Sequence, residues 1–370
     1  MKRVYLFANI YPLYRKSIWD RLLRDKTLDF NFFFSLKTID NIATVELKKE
    51  YNLNDRKVFK PLKNIYLSKW LVWQLGVIPR AFDNIHSVIF LGEMTVLSTW
   101  IAGLIYRLRG VKVIFWGHGL YGSENFLKSK IRVLFLKLAN HNLVYEKRAK
   151  QLMIKNGFKV DNISVIYNSI NFDEQKELFK KHLNNPPNGL FDNNNPTLLF
   201  IGRLTSQKKV EQLIQAVTIL NRDGFNCNLI IVGDGPQKKK LEILAGPLIK
   251  KDKCLFYGAT YNETEISRLI FSSQLVVSPG NIGLTAIHSL SYGTPVFSHS
   301  NFKNQMPEVE AIIDGENGFL FIENDIESLK NGIQKWFIKN PSPDRLSIRE
   351  VIDKYYNPDY QIKVIKKICC

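Results

Sequence analysis

Short apolar runs alternate with amphipathic stretches along the whole chain. In the first half the pattern predicts strands near 3–8, 29–34, 87–91, 112–116, 142–145 and 162–166, and helices near 16–25, 69–82, 94–108, 125–139 and 146–156. In the second half Thr197–Ile201 is an apolar run suited to a central parallel strand, whose two faces are both buried. Gly202 ends it, and Val210, Leu213, Ile214 and Val217 then recur at helical spacing. The unit repeats: Asn228–Val232 reads as a strand, Gly233-Asp234-Gly235-Pro236 as a turn, and a helix holding Leu241 and Leu244 follows. A further strand at 254–258 closes on Gly258. Residues 278–300 read as the end of a buried strand at Ser278-Pro279-Gly280, a helix opening at Gly283, the turn Gly293-Thr294-Pro295 and another strand. Strands alternating with amphipathic helices predict an α/β fold of doubly wound, Rossmann-like parallel sheets.

Composition divides the chain in two. The 370 residues suffice for two domains, each with its own core. Residues 1–190 carry a net charge of +16 and residues 191–370 only +2. Between the halves, 184–196 is a polar, Pro/Asn-rich segment that reads as a linker. The expected domains are therefore 1–183, basic, and 197–345, with terminal helices at 346–370 packing back toward the first. No signal peptide is visible. The longest uncharged apolar run, 94–106, is shorter than the ~20 residues a spanning helix needs. Cys227, Cys254, Cys369 and Cys370 lack metal or disulfide spacing, which fits a reducing cytoplasm.

Two segments concentrate the basic charge. Residues 56–73 hold Arg56, Lys57, Lys60, Lys63 and Lys69 with no acid, interleaved with Phe59, Tyr66, Trp70 and Trp73. Residues 126–138 alternate Lys128, Lys130, Arg132 and Lys137 with Leu127, Ile131, Leu134 and Leu138. The apolar stripe of that single helix reads as core, with its lysines solvated. The asymmetry of the whole half points instead to an anionic membrane surface, on which the protein would be peripheral. Nucleic acid is the competitor for any basic half, and no RNP-like, zinc-finger or helix-turn-helix signature supports it.

Candidate chemistry gathers where strands end. Arg203 and Lys208 follow the strand at 197–201, at a loop and helix start where a planar fork and a point charge suit phosphate oxygens. The helix mouth at Gly283-Leu284-Thr285 offers backbone N–H groups for the same purpose. His118 closes the predicted strand at 112–116 in a Trp-Gly-His-Gly turn. Arg15 and Lys16, near the end of the first strand, could meet a phosphate, which the resemblance given next would make that of an acceptor. No Asp-x-Asp pair follows a predicted strand, so no metal and no other cofactor is expected.

These pieces resemble the family-4 glycosyltransferases of GT-B architecture. The matching segments are GRLTSQKK at 202–209, IVGDGP at 231–236, FYG at 256–258, GLTAIHSLSYGTPV at 283–296 and MPEVEAIIDGENGFLF at 306–321, in the family's order. The first half matches only through Gly117-His118-Gly119 and the run Val165-Ile166-Tyr167-Asn168-Ser169. The resemblance implies two Rossmann-like domains facing across a cleft, with Gly202, Gly233, Gly235 and Gly258 walling a nucleotide-sugar pocket and His118 touching the donor sugar. The family usually carries two glutamates eight positions apart, the second on the ribose hydroxyls and the first near the donor sugar. Here those positions are Gly280 and His288, and Gly280-Asn281-Ile282-Gly283 replaces Glu-Gly-Phe-Gly. Glu308, or Glu310, is the candidate replacement carboxylate.

The expectation is a divergent, retaining, metal-independent enzyme moving a sugar from a nucleotide diphosphate onto a lipid-linked or envelope glycan. The rivals are a non-catalytic GT-B partner of a glycan-assembly complex, or a nucleotide-sugar epimerase of the same architecture, which needs a carboxylate-rich cleft.

Overall fold

The computed structural model describes every residue except 36–43, 48–50, 53–54, 56, 69 and 341–343. Arg56 and Lys69 of the basic segment therefore lie outside the described residues. The chain forms two compact units, one of residues 1–171 with 357–370 and one of residues 172–356.

In the first unit, β1 (Lys2–Phe7), α1 (Lys16–Leu23), β2 (Leu28–Ser35), β3 (Phe59–Tyr66), β4 (Val72–Leu75), α2 (Val77–Arg80), β5 (Ser87–Leu91), α3 (Leu97–Leu108), β6 (Lys112–Gly117), α4 (Phe126–Leu136), β7 (His141–Val144), α5 (Lys147–Lys155) and β8 (Ile163–Val165) follow in order. The sheet order is β4-β3-β2-β1-β5-β6-β7-β8, parallel throughout except between β3 and β4. The alternation of β2 splits its aromatics between two cores. Phe30, Phe32 and Phe34 pack with Trp19 of α1, while Phe33 joins Tyr5, Phe7 and Phe90 beneath α3 and α4.

The helix expected at 69–82 is a strand followed by one short turn. β3 pairs with β2 (Phe32 opposite Phe59) and β4 returns antiparallel to it (Lys63 opposite Leu75). The Ser68 hydroxyl accepts the N–H groups of Trp70 and Leu71 and closes the turn between them. Gly76, at φ 90°, then breaks the chain direction before Pro79. Strand pairing overrides the local apolar period here, as cross-strand context commonly does.

In the second unit, α6 (Phe172–Asn184), β9 (Thr197–Ile201), α7 (Val210–Arg222), β10 (Asn228–Val232), α8 (Lys238–Leu244), α9 (Gly246–Ile249), β11 (Cys254–Gly258), α10 (Glu263–Ser272), β12 (Leu275–Ser278), α11 (Thr285–Ser291), β13 (Val296–His299), β14 (Gly318–Phe321), α12 (Ile326–Lys339) and α13 (Arg345–Lys354) follow. All neighbours in the order β11-β10-β9-β12-β13-β14 are parallel. Leu198, Phe200, Ile231 and Val277 face α7 and α12, and Leu199, Ile230 and Val276 face α6 and α10.

The units divide at 171/172 and 356/357, not at 183, 197 and 345. Helix α6 sits in the second unit, where His182 bonds Ser267 at 2.9 Å. The polar composition of 184–196 resembles a linker, yet Leu190 and Phe191 within it pack on that unit's core. Helix α13 packs on α11 there. Only the last helix, α14 (Pro358–Cys369), joins the first unit, burying Ile365, Ile368 and Cys369 against α1 and its sheet. Among the described residues no helix is long and apolar enough to cross a membrane.

Candidate functional site

In the second unit, four strand ends are stitched together by backbone. The Gly202 N–H donates to Val232 O, Leu204 to Asp234 O, Gly233 to Gly258 O and Gly280 to Lys208 O, all between 2.8 and 3.0 Å. The glycines permit this approach. A Cβ on Gly233 would lie 1.9 Å from Gly202 O, one on Gly235 2.5 Å from Leu204 O, and one on Gly280 1.9 Å from Gln207 O. Their φ angles of 143° and 155° at Gly233 and Gly235 also favour glycine. These glycines thus serve loop-to-loop contact first, and Gly280 has no room for the glutamate of the resembling family.

The loops after β9 and β12 meet through Lys208. Its Nζ donates to Asn281 O at 2.6 Å, and burial lowers its pKa. Thr285, which opens α11, donates to Ile201 O at 3.4 Å. The Ile282 N–H is taken by Gln305 Oε1, whose amide nitrogen holds Ser298 Oγ and His299 O. Gln305 so fixes the 280–283 loop against β13. The N–H groups of Gly283, Leu284 and Thr285 keep no acceptor among the described residues, and Asn281 Oδ1 is buried without a partner. Gly283 itself is uncrowded, its nearest neighbour being Met306 at 3.7 Å. Arg203 follows Gly202 at the carboxyl end of β9, exposed.

His288 does not face this loop as a free donor. Its Nε2 lies 2.8 Å from Glu263 Oε1, which also accepts from Tyr292 Oη and from Gln175 Nε2. Burial pushes the Glu263 carboxyl upward, but His288 and the two other donors outweigh it and hold the pKa below the usual range. The imidazole that occupies the second glutamate's position is thus engaged by another carboxylate. Glu308 is buried in a short turn, 307–311, and is itself engaged. Sequence reading missed Glu263 and Gln305: Glu263 lies 25 residues from His288 and Gln305 lies 23 from Ile282, and no local motif marks either.

The first unit contains a cavity of about 650 Å³ at the carboxyl ends of β1, β5 and β6. Arg15 and His118 both line it, with Glu93, Tyr14, Trp116 and Tyr145. Arg15 is buried, donates to Tyr145 Oη at 2.6 Å, and lies over the Trp116 ring at 5.4 Å. His118 stacks on Tyr121 at 5.4 Å and meets Tyr145 edge-on at 5.0 Å, with Nδ1 lacking a partner among the described residues. Burial, reinforced by Arg15 and Arg132, lowers its pKa to about 4, so the ring is neutral at pH 7. Glu93 accepts from Asn9 Nδ2 at 2.5 Å. Glu93 is exposed at the cavity mouth yet ringed by protein, and that desolvation raises its pKa.

Lys16 does not share the cavity with Arg15. It pairs with Asp20 at 2.8 Å, with its ammonium 5.4 Å from the Tyr51 ring. Consecutive residues entering a helix point about 100° apart, so Lys16 takes another side of α1. Arg132 is not a solvated cation either: it is buried and forks onto both Glu124 oxygens at 2.7 and 2.8 Å.

Two largely parallel Rossmann-like sheets, each with its loops at the strand ends, are the architecture of the GT-B fold class. Lipopolysaccharide outer core galactosyltransferase WaaB in its apo form superposes with a TM-score of 0.71 over 100% of this chain and 99% of that one, at 16% identity. Anabaena Alr3699/HepE in complex with UDP gives 0.66 over 100% and 99%, at 15% identity. Residues 183–351 match the family Glycosyl transferases group 1. The uncharacterized glycosyltransferase MJ1069 of Methanocaldococcus jannaschii is 26% identical over 337 residues, covering 83% of this chain and 80% of its own. Matches to other curated glycosyltransferases span 26% to 61% of those proteins' length.

Proposed function

We propose that the protein is a glycosyltransferase that takes a sugar from a nucleotide diphosphate bound on the second unit. The observation that carries this reading is the Lys208–Asn281 bond, which ties an ammonium to the loop leading into the open N–H groups of residues 283–285. A diphosphate leaving group gathers negative charge as its bond to the sugar lengthens, and preorganised cations and N–H groups stabilise that charge. Arg203 supplies the fork and Lys208 the half-buried point charge, with no metal and with retention of configuration, as in the family the motifs resemble. The HepE relative is described as binding UDP, which supports a nucleotide donor. His118, neutral at pH 7, would offer a hydrogen bond to a sugar hydroxyl in the first-unit cavity.

The acceptor is a lipid-linked or envelope glycan held in the first-unit cavity. Arg15 would meet its phosphate, and the tyrosine and tryptophan rings would stack on its sugars. WaaB, a transferase acting on lipopolysaccharide by its description, supports that class.

Thermal unfolding with UDP, GDP, dTDP and CMP tests the donor reading. One nucleoside diphosphate should raise the midpoint, and Arg203→Ala and Lys208→Ala should abolish the rise, each costing ~10²–10³ in transfer rate. A non-catalytic partner would show no nucleotide stabilisation at all.

A further inference from the structure

The outer faces of α3 and α4 depart from what their sequences suggest. Leu127, Ile131 and Leu134, spaced as a core stripe, are exposed by 70%, 44% and 62%. The core side of α4 is instead Phe135 and Leu136. On α3, Ile101, Leu104 and Leu108 form a second stripe, exposed by 45%, 49% and 79%. The two helices are neighbours: Trp100 and Phe135 pack at 4.9 Å, and Arg107 Nη1 donates to Lys137 O at 2.5 Å. Two apolar ridges therefore lie side by side on one face of the unit. Monomeric proteins rarely leave such a patch open without a partner.

The charge around the ridges selects the partner. Neither helix contains an aspartate or glutamate, while Arg107, Lys128, Lys130 and Lys137 stand among the leucines. Lys128 reaches Glu124, outside the helix, at 3.4 Å. A second copy of the chain docked face to face would oppose cation to cation. An anionic bilayer offers acyl chains to the ridges and phosphates to the cations. We propose that the α3/α4 face docks on an anionic lipid bilayer, its six leucine and isoleucine side chains entering the headgroup boundary.

Cavity position fits this docking. Met94 and Thr95, just before α3, line the cavity, as do Tyr121, just before α4, and Arg132 within it. The cavity thus borders the amino-terminal ends of both docking helices, where a lipid-linked acceptor would arrive. That last point rests on the acceptor reading above; the docking face itself does not.

Vesicle flotation tests the face, using pure phosphatidylcholine and an equimolar mixture with phosphatidylglycerol. The wild-type chain should float with the mixed vesicles and much less with the neutral ones, the difference fading at high salt. The triple variant Leu104→Gln, Leu127→Gln, Leu134→Gln should lose at least about tenfold in partitioning. Lys130→Gln and Lys137→Gln should each lose about fivefold on mixed vesicles only. All these positions are exposed, and unchanged nucleotide-dependent thermal shifts would show that the second unit is intact. Equal flotation of the wild type and the triple variant would overturn the proposal. So would a wild-type dimer, by light scattering, that the triple variant makes monomeric while neither floats. Failure of nucleotide binding with intact flotation would instead count against the donor reading alone.

Discussion

Replacing Gly280 is the sharpest test of how the second-unit loops are built. Alanine there would put its Cβ 1.9 Å from Gln207 O and 2.7 Å from Lys208 Cα. Both are backbone atoms, so no rotamer change relieves the clash, and the loop after β9 must move. Overpacking of this kind costs about 1–3 kcal/mol, with the upper end expected where backbone must yield. A change of 3 kcal/mol moves the midpoint of a unit this size by about 6–12 °C. Because the same backbone carries Lys208, the displaced loop should also break the Lys208–Asn281 bond and weaken nucleotide-dependent stabilisation. Gly280→Glu, which restores the resembling family's residue, should be no better than Gly280→Ala. The control is Gly283→Ala, whose Cβ has only ordinary contact with Met306 at 3.7 Å. It should unfold close to wild type. Differential scanning calorimetry with and without UDP or GDP measures both effects. A Gly280→Ala protein with wild-type midpoint and wild-type nucleotide shift would refute the reasoning.

Three further outcomes follow from the same contacts. Glu263→Ala removes the acceptor shared by His288, Tyr292 and Gln175, and should destabilise the second unit by about 3 kcal/mol in urea denaturation. Because the Glu263 pKa is depressed on folding, its contribution is complete above the unfolded carboxylate value near 4.3 and is lost as pH falls below it; Glu263→Gln should flatten that acid limb. His118 has the same sign in a higher pH window: its folded value near 4 lies below the unfolded ~6.5, so stability is full above pH 6.5 and declines as pH drops toward 4. His118→Gln should remove this slope, and urea midpoints across that range measure it. Arg132→Ala strands Glu124 without its bidentate partner and should lower first-unit stability by about 3 kcal/mol by the same assay.

Much of the fold was legible because it rests on local repetition. The βα alternation from 197 onward needs only periodic apolar positions and strand-ending glycines, and the sheet formed as the pattern requires. The reading failed where a distant partner decided the outcome. Residues 72–75 have an apolar content that suits a helix, but β3 offers them a strand edge. Residues 127, 131 and 134 have perfect core spacing, yet α4 turns Phe135 and Leu136 inward instead. Arg15 and Lys16 are adjacent in sequence, and only the direction of the entering helix sends one into the cavity and the other to Asp20.

What the amino-acid order determined alone was the class of architecture, the basic bias of one half and the strand-end location of Arg203 and Lys208. These depend on spacing of three or four residues and on composition, which a single chain displays openly. Tertiary structure decided that Gly280 abuts the Gln207–Lys208 backbone, that His288 is held by Glu263, and that two leucine stripes lack a core. Each of these joins positions with no sequence relation, or depends on which face a helix shows its sheet. Sterics and burial set them only once the elements have packed.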